Sequence, residues 1–216
     1  MRTFKALAAL LEYPNRELID ALGEIETVLE EEQLLNESDR NAMRALIRAL
    51  ADGDLLDLQA AYVDTFDRGR ATSLNLFEHV HGESRDRGQA MLDLKHLYAE
   101  RGLELSARQL PDYLPVLLEY LALGPVDTAL EMLGDCAHVL QSIGAALARR
   151  DSPYAAILHA LVHFSGAAAT APAPEIADDS SPAALDRSWA EEPVSFLGGG
   201  CAPEQPASFN SRGLRP

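Results

Sequence analysis

Cysteine is nearly missing from this 216-residue chain: Cys136 and Cys201 stand far apart in unlike surroundings. That excludes a disulfide framework and suits a reducing compartment. Aromatic side chains are scarce at 6%, so a core has to be built from Leu, Ala, Ile and Val. Cations are short as well, with 18 Lys and Arg against 34 Asp and Glu and a formal net charge of -16. That balance disfavours a non-specific polyphosphate binder held by counterion release, and it favours cationic partners, because an acidic surface steers them in. Long apolar runs are lacking too: no stretch reaches the roughly 20 residues that cross a bilayer. The opening run from Met1 is broken by Glu12 and Pro14 and is followed by no small-residue cleavage site, so it reads as a first helix and not a secretion signal. The chain is expected in the cytoplasm.

What is present is apolar periodicity at helical spacing up to about Phe164, with no alternating runs of Val, Ile and aromatics. This predicts an all-α fold, a single helical bundle of about eight helices over residues 1–164, and a flexible tail over 165–216 rich in Ala, Pro, Ser and Gly. Within the tail a short docking segment is expected near 188–197, where Trp189 and Phe196 stand.

The first helix is expected to end at Tyr13-Pro14. Asn15 caps a second with a stripe of Leu18, Leu22, Ile25 and Leu29, and the Glu30–Glu32 run reads as a solvated helix end. Ser38 is taken as the cap of a third helix and Asp54 as the start of a fourth that buries Leu55, Leu58, Tyr62 and Phe66. After the break Asp67-Arg68-Gly69-Arg70 a short helical piece passes Leu76 and Phe77. Ser84 then caps a helix with Met91, Leu92, Leu94, Leu97 and Tyr98 as its apolar set, and Pro111 opens another. One long helix is expected from Val126 to Arg150, and a last one from Ser152-Pro153.

Catalytic patterns do not emerge. Gly198-Gly199-Gly200 follows no strand and opens no helix, so it cradles no phosphate. No nucleophile elbow is present, and Cys136, between Leu133 and Leu140, reads as a small packed residue. His79 and His81 lack the i, i+4 spacing and carboxylate of a helical metal site. No cofactor, resident metal or catalytic residue is expected, and the chain is not read as an enzyme.

One block is distinctive: Tyr62-Val63-Asp64-Thr65-Phe66-Asp67-Arg68-Gly69-Arg70, continuing as Ser73-Leu74-Asn75-Leu76-Phe77-Glu78-His79-Val80-His81-Gly82-Glu83-Ser84-Arg85-Asp86-Arg87-Gly88-Gln89-Ala90-Met91. With Leu11-Glu12-Tyr13-Pro14, Leu110-Pro111-Asp112-Tyr113-Leu114-Pro115 and Leu118-Glu119-Tyr120-Leu121, it resembles the NarJ family, the delta-subunit chaperones of respiratory nitrate reductase. Asn75 departs from the family pattern, where an apolar residue is expected. The resemblance implies a helical cytoplasmic chaperone that binds the N-terminal segment of the apo catalytic subunit. It would hold that subunit ready for molybdenum cofactor insertion and iron–sulfur completion, and delay membrane docking. Molybdenum cofactor delivery proteins are implied as further partners; nucleic acid and direct membrane insertion are not.

An amphipathic cationic peptide needs apolar walls and an acidic rim. Tyr62, Phe66, Leu76, Phe77, Tyr113 and Tyr120 are the expected walls. Asp64, Asp67, Glu78, Glu83, Asp112 and Glu119 are the expected rim, with His79 beside them. Glu78-His79 and Asp112 are expected to be exposed. For Tyr62, Phe66 and Phe77 the competing reading is plain core packing, and for Asp67 a turn. Two other functions stay open: a helical metal-dependent hydrolase using His79, His81 and a carboxylate, and a permanent scaffold subunit of the reductase.

Overall fold

A computed structural model describes residues 1–80, 85–106 and 109–166. Among the described residues are ten α-helices and one 3-10 turn, Arg70–Thr72, and the one β-type pairing among them is an isolated bridge between Asn75 and Tyr113. The helices are α1 (Arg2–Leu10), α2 (Arg16–Glu32), α3 (Glu37–Asp52), α4 (Leu55–Phe66), α5 (Leu76–Val80), α6 (Arg85–Glu100), α7 (Leu114–Ala122), α8 (Val126–Asp135), α9 (Ala137–Arg149) and α10 (Ala155–Phe164). The fold is all-α. The tail, with Trp189, Phe196 and Cys201, lies outside the described residues, as do His81, Glu83 and the expected cap Ser84.

α1 is the axis of the core. Its Phe4, Leu7 and Leu10, with Leu11 beyond, are buried between α2 and α7. The stripe Leu18, Leu22, Ile25 and Leu29 turns α2 onto this core, while α3 packs on α2 and α10 through Met43, Leu46 and Leu50. α9 and α10 form the tightest helix pair: a Cβ on Gly144 would lie 3.2 Å from Leu158 and from His159, so glycine there sets how closely they approach.

Several helix limits follow their caps. Asn15 Oδ1 accepts from Leu18 N–H at 2.8 Å, as the sequence predicts, and Asp54, expected as the first residue of α4, caps it instead, its Oδ1 accepting from Leu56 N–H at 2.9 Å. Elsewhere the structure corrects the reading. The cap of α3 is Asn36, not Ser38: Asn36 Oδ1 accepts from Asp39 N–H at 2.9 Å, and its amide donates to Asp39 Oδ2 at 2.7 Å. α1 stops at Leu10, ahead of Tyr13-Pro14, and α7 starts at Leu114, three residues beyond Pro111. Glu32 is not an idle solvated end either. Its carboxylate accepts from Arg2 N–H (2.9 Å), Thr3 N–H (2.8 Å) and the Thr3 hydroxyl (2.8 Å), capping α1 from the far end of α2.

The expected long helix from Val126 to Arg150 is two. Cys136 leaves helical geometry at φ -99° and ψ 7°, and its thiol donates to the carbonyls of Met132 at 3.3 Å and Leu133 at 3.6 Å. Gly134-Asp135 just before it are poor helix formers, so a bend costs little there. It lets α8 meet α7 while α9 lies along α10.

α6 departs most from expectation. Of its apolar set only Tyr98 is buried; Met91, Leu94 and Leu97 are partly covered and Leu92 is 51% exposed. The Tyr98 hydroxyl donates to Pro111 O at 2.8 Å, its ring lies 5.1 Å from Tyr120, and Gly102, at φ +75°, ends the helix. α6 is therefore fastened at its C-terminal end.

Candidate partner-binding surface

The block that sets this sequence apart folds around α5. Residues 74–76 lie antiparallel to 112–114, with Leu76 N–H donating to Asp112 O at 3.0 Å and Leu114 N–H to Leu74 O at 2.9 Å. Asn75 takes part in that bridge, half-buried, which accounts for a polar residue in an otherwise apolar stretch. This pairing carries the Asp112 side chain under α5, where its Oδ2 accepts from Phe77 N–H at 3.0 Å. Asp112 is 1% exposed, which corrects the expectation that an acid after Pro111 faces solvent. Its Oδ1 is buried with no hydrogen-bond partner. Such a group costs about 1–3 kcal/mol. Burial raises the Asp112 pKa above the ordinary carboxylate value; Phe77 N–H and the charge of Arg87 pull it back.

Arg87 reaches this carboxylate from α6: its Nη2 lies 3.8 Å from Asp112 Oδ2 and 3.5 Å from Glu78 Oε1. Glu78, half-buried, also accepts from Arg70 through its main-chain carbonyl at 2.7 Å. His79 is half-buried rather than exposed. Its Nε2 sits 2.9 Å from Ser73 O, which fixes the tautomer with the proton on Nε2, and leaves Nδ1 a buried acceptor without a partner. Burial lowers its pKa, so the ring is neutral near pH 7. No group of three His, Cys, Asp or Glu gathers at metal-binding distance among the described residues.

Beside Asp112 opens an apolar groove of about 280 Å³. Leu76, Phe77 and Val80 line it from α5, Leu94 and Tyr98 from α6, Leu117 from α7, and Met132, Cys136 and Val139 from the α8–α9 elbow; Asp135 and His138 supply polar edges. Val80 is 51% exposed at its mouth. Burial lifts the Cys136 thiol to about 11, so it stays protonated and behaves as an apolar lining.

Of the expected walls and rim, Leu76, Phe77 and Asp112 line this groove. Tyr62 and Phe66, each 5% exposed, are core instead. Their rings pack at 4.7 Å, Phe66 meets Tyr154 at 5.1 Å, and the Tyr62 hydroxyl donates to Leu11 O at 2.7 Å. Tyr113 is half-buried, its hydroxyl 3.1 Å from that of Tyr62, and Tyr120 is buried under Arg101, which lies 4.4 Å over its ring. Asp64 is exposed and pairs with Arg68 at 3.0 Å and Arg150 at 3.1 Å. Asp67, also exposed, borders a separate polar recess with Arg68, Arg70, Ser73 and Glu78. Glu119 is exposed near Glu12, whose pKa is raised by burial and then by Glu119. The elbow residues Met132, Asp135 and His138 escaped the sequence reading, and Cys136 is read there only as packing, because the long apolar stripe expected there conceals the bend.

The fold matches a solved chain described as a redox enzyme maturation protein from Archaeoglobus fulgidus, with a TM-score of 0.55, 22% identity, and coverage of 77% of this chain and 94% of that one. At the sequence level residues 32–160 match the family model described as nitrate reductase delta subunit. The nitrate reductase molybdenum cofactor assembly chaperone NarJ of Escherichia coli K12 is 45% identical over 196 residues, covering 88% of this chain and 83% of the relative. The probable chaperone NarW of the same strain is 40% identical over 203 residues (91% and 84%), and Bacillus subtilis NarJ 31% over 160 (74% and 86%). The chain belongs to the nitrate reductase delta subunit family, a family of assembly chaperones and not of enzymes.

Proposed function

We propose that this chain is a cytoplasmic chaperone of respiratory nitrate reductase assembly. It binds the apo catalytic subunit at its N-terminal segment and keeps it open to molybdenum cofactor insertion and iron–sulfur completion before membrane anchoring. Molybdenum cofactor delivery proteins are its further partners. The relatives named above carry the chaperone assignment by their names. The observation that supports peptide binding is the open apolar groove beside Asp112, in a chain of net charge -16. An amphipathic helix lays its apolar face in such a groove, and carboxylates nearby favour a cationic flank.

No helix among the described residues is long and apolar enough to cross a membrane, which accords with acting before membrane anchoring. The exposed Glu119, Asp64 and Asp67 supply acidic surface that steers a cationic segment, and Glu78, half-buried, extends it. Phe77 and Tyr113, both half-buried, are apolar contacts, with His79 a neutral neighbour. Tyr62 acts from the core by holding Tyr113 through its hydroxyl, and Phe66 packs on Tyr62. The test is calorimetric titration of the full chain with the synthetic N-terminal peptide of a nitrate reductase catalytic subunit. Saturable binding at low salt that weakens as salt rises is expected, and its absence at low salt refutes the reading. Mature reductase purified from membranes without this chain separates a transient chaperone from a scaffold subunit.

A further inference from the structure

Asp112, which lines the groove, carries a hydrogen-bond acceptor without a partner, its Oδ1, on a carboxyl group almost wholly removed from water. Arg87 reaches the same carboxyl group without closing on it, at 3.8 Å from Oδ2 and 3.5 Å from Glu78 Oε1. A charge-assisted bond between a guanidinium and a carboxylate shortens to about 2.7–2.9 Å when the geometry allows. Arg87 thus supplies charge to Asp112 without bonding it, its hydrogen bond going to Glu78 Oε1 at 3.5 Å. It stands on α6, which Tyr98 fastens at the C-terminal end and which leaves Leu92 in solvent. Among the described side chains of the N-terminal half of α6, Arg87 makes the polar links to other elements.

We propose that Arg87 is a resident stand-in for a cation of the partner. An amphipathic helical segment that seats its apolar face between α5 and the α8–α9 elbow delivers an arginine or lysine to Asp112, displaces Arg87, and frees the N-terminal half of α6. This rests on the peptide-binding reading above and adds to it the carboxylate that selects the segment and the internal competitor that the segment must displace. The groove chemistry favours this occupant over two others. The tail segment around Trp189 brings Glu191 and Glu192 and would set acid against Asp112. A second copy of a chain with net charge -16 would be repelled as a whole.

The competitor gives the inference a signature that simple charge attraction lacks: removing a cation from the protein improves binding of a cationic peptide through one position. Titration of full-length wild type, Arg87→Gln, Asp112→Asn, the double variant and Lys95→Gln with the synthetic catalytic-subunit N-terminal peptide reads it. Lys95 is exposed on the same helix and controls for bulk charge. Arg87→Gln is expected to tighten binding and Asp112→Asn to weaken it, each on the order of tenfold, with no gain from Arg87→Gln once Asp112 is gone. In the free protein, Arg87→Gln should speed amide hydrogen exchange over the N-terminal half of α6. A peptide bound by wild type but unaffected by Arg87→Gln, or tightened equally by Lys95→Gln, overturns the stand-in and leaves the chaperone reading in place. A wild type that binds no peptide overturns both.

Discussion

Asp112 and Tyr62 show how a residue chosen for its chemistry can be taken up by the core. Tyr62 is as buried as an aliphatic core residue, yet its hydroxyl serves Leu11 O at 2.7 Å and meets Tyr113 Oη at 3.1 Å. Tyr62→Phe leaves the Leu11 carbonyl without that donor, and chemical denaturation should show a loss of about 1–2 kcal/mol. Glu12 has a pKa above the ordinary value because burial disfavours its charge, with Glu119 adding to the effect. The folded chain then holds this proton more tightly than the unfolded one. The stability it contributes is full below the unfolded carboxylate pKa and is lost as pH rises through the raised folded value. Glu12→Gln is therefore expected to gain stability over wild type between about pH 4 and about pH 7, read as denaturation midpoints at the two values. An equal difference at both would show that Glu12 ionises freely in the fold.

Single caps and single bends decide the elements. Asn36 holds the start of α3 through Asp39 N–H, and Asp39 in turn lies 2.8 Å from His163 Nδ1 at the end of α10. Asn36→Ala should cost about 1 kcal/mol, while Ser38→Ala, on an exposed side chain, should stay within about 0.5 kcal/mol. Comparison of the two melting midpoints checks the assignment, and a larger loss at Ser38 would reverse it. Glu32 works the same way across elements. Burial would raise its pKa, but the Thr3 and Arg2 donors outweigh that and lower it, so the cap is fully charged at neutral pH. The Cys136 bend brings Met132 and Val139 to the groove from either side of one residue.

Charge acts on the whole molecule. With 34 acidic against 18 basic residues, the chain attracts a cationic peptide before contact, and attraction between exposed charges is screened within about 8 Å at physiological ionic strength. Raising salt should slow association with the catalytic-subunit peptide far more than it speeds dissociation, which stopped-flow measurement separates. Equal effects on both rates would place the charge recognition in the closed groove instead of on the open surface.

Periodicity was enough to read an all-α chain, because each helix that packs on the core needs one apolar stripe and the stripe is written in the residue spacing. The cap Asn15 was legible for a similar reason, since a side chain bonding to an amide three residues away is a local event. So was the family, through the block from Tyr62 to Met91. Tertiary structure alone decided which of these residues meet water. The pairing of 74–76 with 112–114 buries Asp112, α4 turns Tyr62 and Phe66 inward, and α6 leaves Leu92 outside although its spacing matches that of buried residues. The physical reason is that burial depends on what packs across from a side chain, and that neighbour is brought there by a distant part of the chain: Pro111–Tyr113 for α5, the Cys136 elbow for the groove.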